Sequence, residues 1–162
     1  MTFRCATCGD EHDGLPDLGM EAPDPYLEVP DEERAARTTF TPDRCVVRNP
    51  DGEHYFVRGV ILIPVRGGDE PFGIGAWVSQ SRKNFDLYAA NVEMEPTFGW
   101  LVNRMHHYRE TTFLLKTRVH FRPGSQRPTI ELEPTDHPLA VEQRTGITLE
   151  RAWDIVHQYM PN

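Results

Sequence analysis

The order of the predicted elements indicates an α+β fold, in which an antiparallel sheet carries helices on one face. Strand-like runs rich in Val, Ile, Tyr and Phe come first, one helical pattern lies among them, and two helical patterns close the chain. The hydrophobic fraction of 38% and the charged fraction of 26% are those of a globular protein. We therefore expect a single domain over residues 1–162, an ordinary length for one core.

The first 45 residues differ in character from the rest. Residues 1–30 are rich in proline and in turn-forming glycine and aspartate, and they show little hydrophobic periodicity. Pro30–Arg37 then carries acidic residues in its first turn and arginines later, which is the charge order that a helix dipole favours. Because residues 1–30 lack an apolar pattern, something other than a core must order them.

Arg44–Arg48 and His54–Val65 are predicted to form a β-hairpin. The segment between them, Asn49–Gly52, reads Asn-Pro-Asp-Gly and is typical of a tight turn. Within His54–Val65, apolar residues occupy both alternating faces of the strand. We therefore expect a central strand that is largely covered on both faces.

The remaining sequence holds four further strand patterns and three helical patterns, and apolar residues alternate with polar ones over Thr111–Phe121. Phe72–Ser79 is predicted as a strand, followed by a helix for which Ser79 or Ser81 provides the cap. The other predicted elements are the strands Phe98–Val102, Thr111–Phe121 and Thr129–Glu133 and the helices Leu139–Arg144 and Thr148–Met160.

Charge and hydropathy exclude several classes of function. The net charge is −8, from 25 acidic and 17 basic residues, and such a surface repels phosphate backbones, so we expect no nucleic-acid binding. The acidic residues of Asp10–Glu33, where no Lys or Arg occurs, favour a basic protein partner, although a solvated loop also explains them. The longest apolar run, near Val60–Val65, is too short to span a membrane. No apolar signal region begins the sequence, so we expect a cytoplasmic protein.

Cys5, Cys8, His12 and Cys45 are predicted to bind one structural zinc ion. Two thiolates three residues apart in a tight turn grip one metal ion, and the glycine after the second cysteine allows the positive φ that such a turn requires. His12 is close enough to be a third ligand, and Cys45, at the start of a predicted strand, is the only other cysteine. Three cysteines and one histidine form a standard structural zinc set.

Two alternatives remain open at this site. His54 or an aspartate could take the place of His12, and Cys5 and Cys8 could be a redox pair. A redox Cys-x-x-Cys is expected where a helix starts after a strand, which fits this N-terminal position poorly. Four protein ligands leave no open position for water, so the site would be structural, and it would staple residues 1–45 to an α+β core over 46–162.

Three other polar groups invite either a structural or a chemical interpretation. His106, His107 and Tyr108 are expected to form a solvated turn, because adjacent histidines rarely bind one metal. Asp136 is well placed to cap the helix at Leu139–Arg144, which would leave His137 beside that cap as an acid or base. Arg58, in the middle of a strand, needs a partner, and we expect an ion pair with Glu131 or Glu133 rather than an anion site.

Several blocks of the sequence together resemble a bacterial family known as domain of unknown function 2199. The resemblance covers nearly the whole chain, and the family has no established activity. The family tends to have a proline-containing turn where this chain has Met105–Tyr108. The matching blocks are Phe3-x-Cys5-x2-Cys8-Gly9-x2-His12, Ala22-Pro23 with Tyr26, Glu33-Arg34, Asp43-x-Cys45-Val46, Phe56–Val60, Gly75–Ser79 with Asn84-Phe85, Phe98–Leu101, Arg127-Pro128, Leu132–Ala140 and Gly146–Thr148.

The resemblance implies a metal site at the four predicted ligands and a shared feature, a pocket or a core. We expect a non-enzymatic binding or accessory protein with a structural zinc, such as one that neutralises a basic partner through charge complementarity. The alternative is a small-molecule hydrolase that uses a cleft around Asp136, His137, Arg58 and Trp77. The residues of the shared feature are Arg58, Trp77, Trp100, Asp136 and His137.

Overall fold

A computed structural model of the chain describes residues 14–160, together with the backbone of 3–4 and 11–12. Ten strands and five helices occupy these residues. The strands are β1 (Phe3–Arg4), β2 (Glu11–His12), β3 (Leu18–Gly19), β4 (Thr38–Phe40), β5 (Arg44–Asn49), β6 (Gly52–Ile63), β7 (Phe72–Gln80), β8 (Thr97–Trp100), β9 (Lys116–His120) and β10 (Thr129–Leu132). The helices are α1 (Asp24–Leu27), α2 (Asp31–Arg37), α3 (Arg82–Ala89), α4 (Pro138–Thr145) and α5 (Leu149–Tyr159).

Strand β6 is central, as its two-faced apolar pattern predicts. It pairs with β7 on one side from Tyr55 to Ile63, and on the other side with β5 and then with β10. The hairpin between β5 and β6 turns where Asn49 faces Gly52, and this glycine has a φ of +134° that other residues rarely adopt. The predicted hairpin is therefore confirmed.

The sheet is mixed rather than antiparallel throughout. Strand β3 runs parallel to β7, and β10 runs parallel to β6 where Thr129 faces Val60. The remaining pairings among the strands are antiparallel. A bridge between Leu101 and Val78 joins the chain beyond β8 back to β7, so that β6, β7, β8, β9 and β10 form a curled, nearly closed sheet.

The main core fills the inner face of this curled sheet. Val57, Ile61 and Ile63 of β6 point inward, and Leu139 of α4 and Ile155 of α5 pack on the same cluster. Helix α3 adds partly buried aromatic side chains. Of the two cap candidates for α3, Ser81 is the cap, and Thr148 caps α5, because their side-chain oxygens accept the backbone N–H groups of Asn84 and Arg151.

Helices α1 and α2 cover the outer face, which corrects the prediction that all helices lie on one face. Tyr26 of α1 and Val29, between the two helices, pack on a second apolar cluster with Phe56, Trp77 and Cys45. The sequence pattern missed α1 because it has four residues and buries no side chain. The N-terminal segment is thus part of the fold from Leu18 onward, where β3 pairs with β7.

The strand predicted over Thr111–Phe121 is shorter in the structure, where β9 begins only at Lys116. Thr112 is fully buried, and its hydroxyl donates to the Asn103 carbonyl and accepts the Met105 N–H. Leu114 has a φ of +68°, outside the extended region. At Thr112, hydrogen bonds between the threonine side chain and the backbone therefore replace the strand-to-strand hydrogen bonds that the alternating apolar pattern predicts.

Candidate functional site

The predicted zinc ligands fall largely outside the described residues. Cys5 and Cys8 lie there entirely, and of His12 only the backbone is described, in β2, where it pairs with Phe3 of β1. Cys45 is 1% exposed on β5 within the outer apolar cluster, and burial raises the pKa of its thiol to about 12. Among the side chains that are described, no group of three or more His, Cys, Asp or Glu is arranged to hold a metal.

Arg58 and Trp77 are cross-strand neighbours on the outer face of β6 and β7. The Trp77 side chain is fully buried, and its Nε1 donates to the Met20 carbonyl at 2.9 Å. Its backbone N–H donates to Asn103 Oδ1 at 2.8 Å. Trp77 therefore anchors the N-terminal segment to the sheet and is not open to a ligand.

Trp100 lies on β8, and its backbone N–H donates to Ser79 Oγ of β7 at 3.0 Å. Its ring packs edge-to-face on that of Phe98, with 4.9 Å between centroids, and Lys116 lies 6.0 Å from its centroid. Both aromatic rings are exposed on the same face of β8. The neighbouring outer surface of β8, β9 and β10 is a shallow groove of about 670 Å³ that Arg118 and His120 help to line.

His137, rather than Asp136, caps helix α4. Its Nδ1 accepts the Leu139 N–H at 3.0 Å, so the ring proton resides on Nε2, which lies 3.1 Å from the Thr111 carbonyl. Asp136 is exposed. Pro138 occupies the first position of α4, which makes His137 the residue directly before the helix. Its ring therefore reaches the unpaired backbone N–H groups of the first turn, and Asp136 is one residue further away.

The structure does not bring the five predicted pocket residues into one cleft. Arg58 and Trp77 share the outer face of the sheet, and His137 begins a helix that packs on the inner core. The exposed Trp100 ring packs on Phe98 instead of on either of these. The hydrolase alternative required these side chains to converge, and their described positions give it no support.

A polar cluster at the C-terminal helices was missed by the sequence argument. The Tyr108 hydroxyl donates to Glu142 Oε1 at 2.7 Å, and Arg151 Nε donates to Glu142 Oε2 at 2.9 Å. His107 Nδ1 lies 2.8 Å from the Tyr159 hydroxyl. The prediction of a solvated turn is therefore correct only for His106, which is exposed. The side chains of His107 and Tyr108 instead bind residues of α5 and α4.

Burial shifts the titration of this cluster. Desolvation, followed by the positive charge of Arg151, lowers the pKa of His107 to about 4. Burial and the hydrogen bond to Glu142 raise the pKa of Tyr108. Both groups are therefore uncharged at neutral pH. Because both side chains are uncharged and hydrogen-bonded to α4 or α5, we interpret them as structural groups that hold the loop after β8 in place.

An apolar cleft of about 470 Å³ lies between the N-terminal segment and the loop after β8. The exposed side chains of Leu27 and Phe40 form much of its wall, at 58% and 38% exposure. The rings of Tyr26, Phe40 and Trp77 form a row, with centroids 4.7 Å and then 5.7 Å apart. The residues that line the cleft are Met20, Glu21, Ala22, Asp24, Tyr26, Leu27, Phe40, Asn103 and Arg104.

The rim of this cleft is acidic, and ion pairs with Arg104 hold two of its carboxylates in place. Arg104 Nη1 binds Asp24 Oδ2 at 3.0 Å and Glu28 Oε1 at 3.1 Å, and its guanidinium lies 3.9 Å above the centre of the Phe113 ring. Glu21, on the other side, is exposed and forms no ion pair with another described residue. The cleft therefore combines an apolar wall with an exposed carboxylate that no described cation pairs.

A family model described as an uncharacterized protein conserved in bacteria, DUF2199, matches residues 4–147. The chain belongs to this family. The matched range includes the whole cleft and Arg58, and it ends before α5. No curated protein and no solved structure matches the chain. Within the described residues, none of the helices has the length and apolar character needed to cross a membrane.

Proposed function

We propose that this member of DUF2199 is a non-enzymatic binding or accessory protein whose N-terminal face binds a basic segment of a partner protein. The observation that carries the proposal is the cleft of about 470 Å³ between the N-terminal segment and the loop after β8. It presents exposed aromatic and aliphatic side chains beside carboxylates, in a chain of net charge −8.

The wall of the cleft suits the stem of a long basic side chain. Leu27 and Phe40 are more exposed than large apolar residues usually are, and Tyr26 packs directly on Phe40. Lysine and arginine lay their methylene stems on such surfaces while the charged head reaches a carboxylate. An aromatic face also attracts a cation directly, and Arg34 already lies 5.0 Å from the centre of the Tyr26 ring.

The charges around the cleft favour a cationic partner. From Gly14 to Glu33 the sequence holds seven acidic residues and no Lys or Arg. Some of their charges are already offset, since Arg34 pairs with Asp31 and Arg37 with Glu33. Charge complementarity of this kind increases association rates and rejects acidic partners.

A titration by NMR tests this assignment directly. The probe is a short peptide of alternating lysine and leucine, and the control peptide has glutamate in place of lysine. We expect chemical-shift changes confined to the cleft, with the affinity falling about tenfold in Phe40→Ala and about threefold in Glu21→Gln. Glu70→Gln, an exposed acidic residue of the loop before β7, is the matched control and should leave the affinity unchanged.

Two outcomes would contradict the proposal. One is a set of shift changes spread evenly over the acidic surface, which would indicate non-specific attraction. The other is equal affinity for Phe40→Ala and the unaltered protein. Because Phe40 is exposed on the edge strand β4, its replacement is expected to leave the fold intact, and the NMR spectrum of the free variant checks this.

The same proposal includes a structural zinc ion held by Cys5, Cys8, His12 and Cys45. The pairing of β1 with β2 places Phe3 opposite His12, and the chain between these strands contains both N-terminal cysteines. Cys45 lies on β5, within the cluster that also packs against α1. A neutral thiol with a pKa of about 12 must lose its proton to bind, and a metal ion supplies the charge that makes this favourable.

Elemental analysis and chelation test the zinc site. We expect one zinc per chain in protein purified without added metal, a lower melting temperature after chelation, and loss of the metal in Cys8→Ser. Protein without stoichiometric zinc, whose stability a chelator leaves unchanged, would contradict the assignment. If a His12→Ala variant still holds one zinc ion, the fourth ligand is His54 or an aspartate instead of His12.

A further inference from the structure

A groove of about 310 Å³ lies between helix α3 and the strands β4, β5 and β6. Side chains alternate between the two faces of a strand, so Arg44, Val46 and Arg48 of β5 point to the same side. All three line the groove, and Arg82 of α3 lines it from the helix side. We call it the arginine groove, after Arg44, Arg48 and Arg82.

The guanidinium of Arg48 is turned toward the middle of this groove. Arg48 Nη2 donates to Thr39 Oγ1 at 3.0 Å, and Thr39 faces Val46 where β4 pairs with β5. The contact therefore draws the charged head of Arg48 back along the strand toward Val46. The backbone of Arg48 is held as well, because Arg37 Nε donates to its carbonyl at 3.0 Å. Since the Thr39 hydroxyl accepts in its bond to Arg48, its own proton can be donated to a ligand.

Arg44 borders the groove at the other end of the same strand. The Thr41 N–H donates to the Arg44 carbonyl at 2.8 Å, and the Arg44 N–H donates to Thr41 Oγ1 at 3.0 Å. These two bonds fix the backbone of Arg44 at the turn between β4 and β5. Arg44 and Arg48 are four residues apart, about 13 Å along an extended strand, with the smaller Val46 between them. Two long cationic side chains thus flank one apolar position.

Positive charge exceeds negative charge in the arginine groove. Its three arginines face two carboxylates, those of Glu53 and Asp86. Glu53 Oε2 accepts the Tyr55 hydroxyl at 3.0 Å. Asp86 Oδ2 lies 3.8 Å from Arg82 Nε, and both side chains are exposed, so this ion pair is weak. The groove therefore carries one net positive charge in a chain whose net charge is −8.

We propose that the arginine groove binds a small phosphate monoester, with its phosphate on the arginines and its apolar part on Val46 and Phe85. The guanidinium fork matches phosphate oxygens and binds them through charge-assisted hydrogen bonds. Donors come from β4, β5 and α3, and a phosphate monoester offers three terminal oxygens to them, whereas a carboxylate offers two.

The floor of the groove suits the apolar part of such a ligand. Val46 is buried, and the rings of Tyr55 and Phe85 pack beside it with 5.2 Å between their centroids. The volume of about 310 Å³ is at the lower end of the range for small-molecule sites, about 300–1,000 Å³. The ligand is therefore a small molecule that carries one phosphate.

This site is separate from the cleft that is proposed to bind a basic segment. On β4, Thr39 lines the arginine groove, and Phe40, the next residue, points to the opposite face and lines the cleft. The two ligands also differ in sign. The two proposals therefore stand or fall separately, and Phe40→Ala tells them apart.

Arginine side-chain NMR signals provide the test. Phenyl phosphate is the probe, and benzoate and benzylamine are added in separate series, all at an ionic strength held constant with sodium chloride. We expect the Nε–Hε signals of Arg44 and Arg48 to shift and saturate with phenyl phosphate at millimolar concentration. Benzoate should bind more weakly, and benzylamine should cause no saturating shift. The signal of Arg118 should stay in place, because this exposed arginine of β9 does not line the groove.

Variants complete the test. Arg44→Gln and Arg48→Gln should each weaken the binding of phenyl phosphate about tenfold, and Arg48→Lys should weaken it less, because it keeps the charge and loses the fork. Arg118→Gln, the matched control, should leave the affinity unchanged. Phe40→Ala should also leave it unchanged, although this variant is expected to lose the basic peptide from the cleft.

Arg44 and Arg48 signals that sodium chloride shifts as much as phenyl phosphate does would overturn the proposal. So would unchanged affinity in Arg48→Gln, a variant expected to fold because Arg48 is exposed. Benzoate that binds as tightly as phenyl phosphate would overturn the assignment to a phosphate monoester.

Discussion

Acidification is expected to destabilise the fold through His107. Burial and the nearby Arg151 lower the pKa of this histidine from 6.5 to about 4, against the smaller opposing effect of Glu142. The unfolded chain therefore takes up a proton near pH 6.5 and the folded chain only near pH 4, so stability is complete above this window and is lost as the pH falls through it. At about 1.4 kcal/mol per pKa unit the loss is about 3.5 kcal/mol, which partial exposure reduces to about 2 kcal/mol.

Urea denaturation at about pH 7 and pH 4.5 measures this loss. His107→Gln should unfold about 1 kcal/mol more easily at pH 7, since the contact with Tyr159 changes, and should lose about 2 kcal/mol less than the unaltered protein on acidification. Tyr159→Phe removes the hydroxyl and keeps the histidine buried, so its stability should fall with pH as in the unaltered protein. Equal pH dependence of His107→Gln and the unaltered protein would refute the reasoning.

Four further substitutions probe the packing and a helix cap. Gly59→Ala should cost about 2–3 kcal/mol, because the added methyl would lie 2.8 Å from a backbone carbonyl, whereas Gly73→Ala meets the movable side chain of Asp17 and should cost less than about 1 kcal/mol. Thr148→Ala should cost about 1 kcal/mol through loss of the α5 cap. Leu139→Ala should cost about 2–5 kcal/mol, since this side chain is fully buried in the main core. Each cost is measured as a change in the free energy of unfolding. A cost of Gly73→Ala as large as that of Gly59→Ala, or of Thr148→Ala as large as that of Leu139→Ala, would contradict the packing described.

Local signals in the sequence predicted local structure well. The turn residues between β5 and β6 specify a tight hairpin, and Ser81 and Thr148 specify helix starts, because each acts on backbone groups within a few positions. The parallel pairing of β10 with β6 escaped prediction. It joins Thr129 to Val60, and contacts so distant in the chain leave no periodic trace in either strand.

The site residues were harder to predict for the same reason. Trp77 and His137 were rightly singled out, but their partners, the Met20 carbonyl and the Leu139 N–H, give them anchoring and capping roles. The partner of Arg58 depended on the sheet register, which turns Glu131 toward His120 instead. The predicted ion pair of Arg58 with Glu131 or Glu133 is therefore wrong for the described residues.

Photo-crosslinking in cells of the source bacterium tests the binding role most directly. Benzoylphenylalanine replaces Phe40, in the wall of the cleft, or Phe98, an exposed aromatic residue of β8 that does not line the cleft and serves as the control. We predict that position 40 crosslinks to a protein with a basic segment at the site of attachment and that position 98 does not. Crosslinks to the same proteins from both positions, or attachment at an acidic segment, would contradict the account.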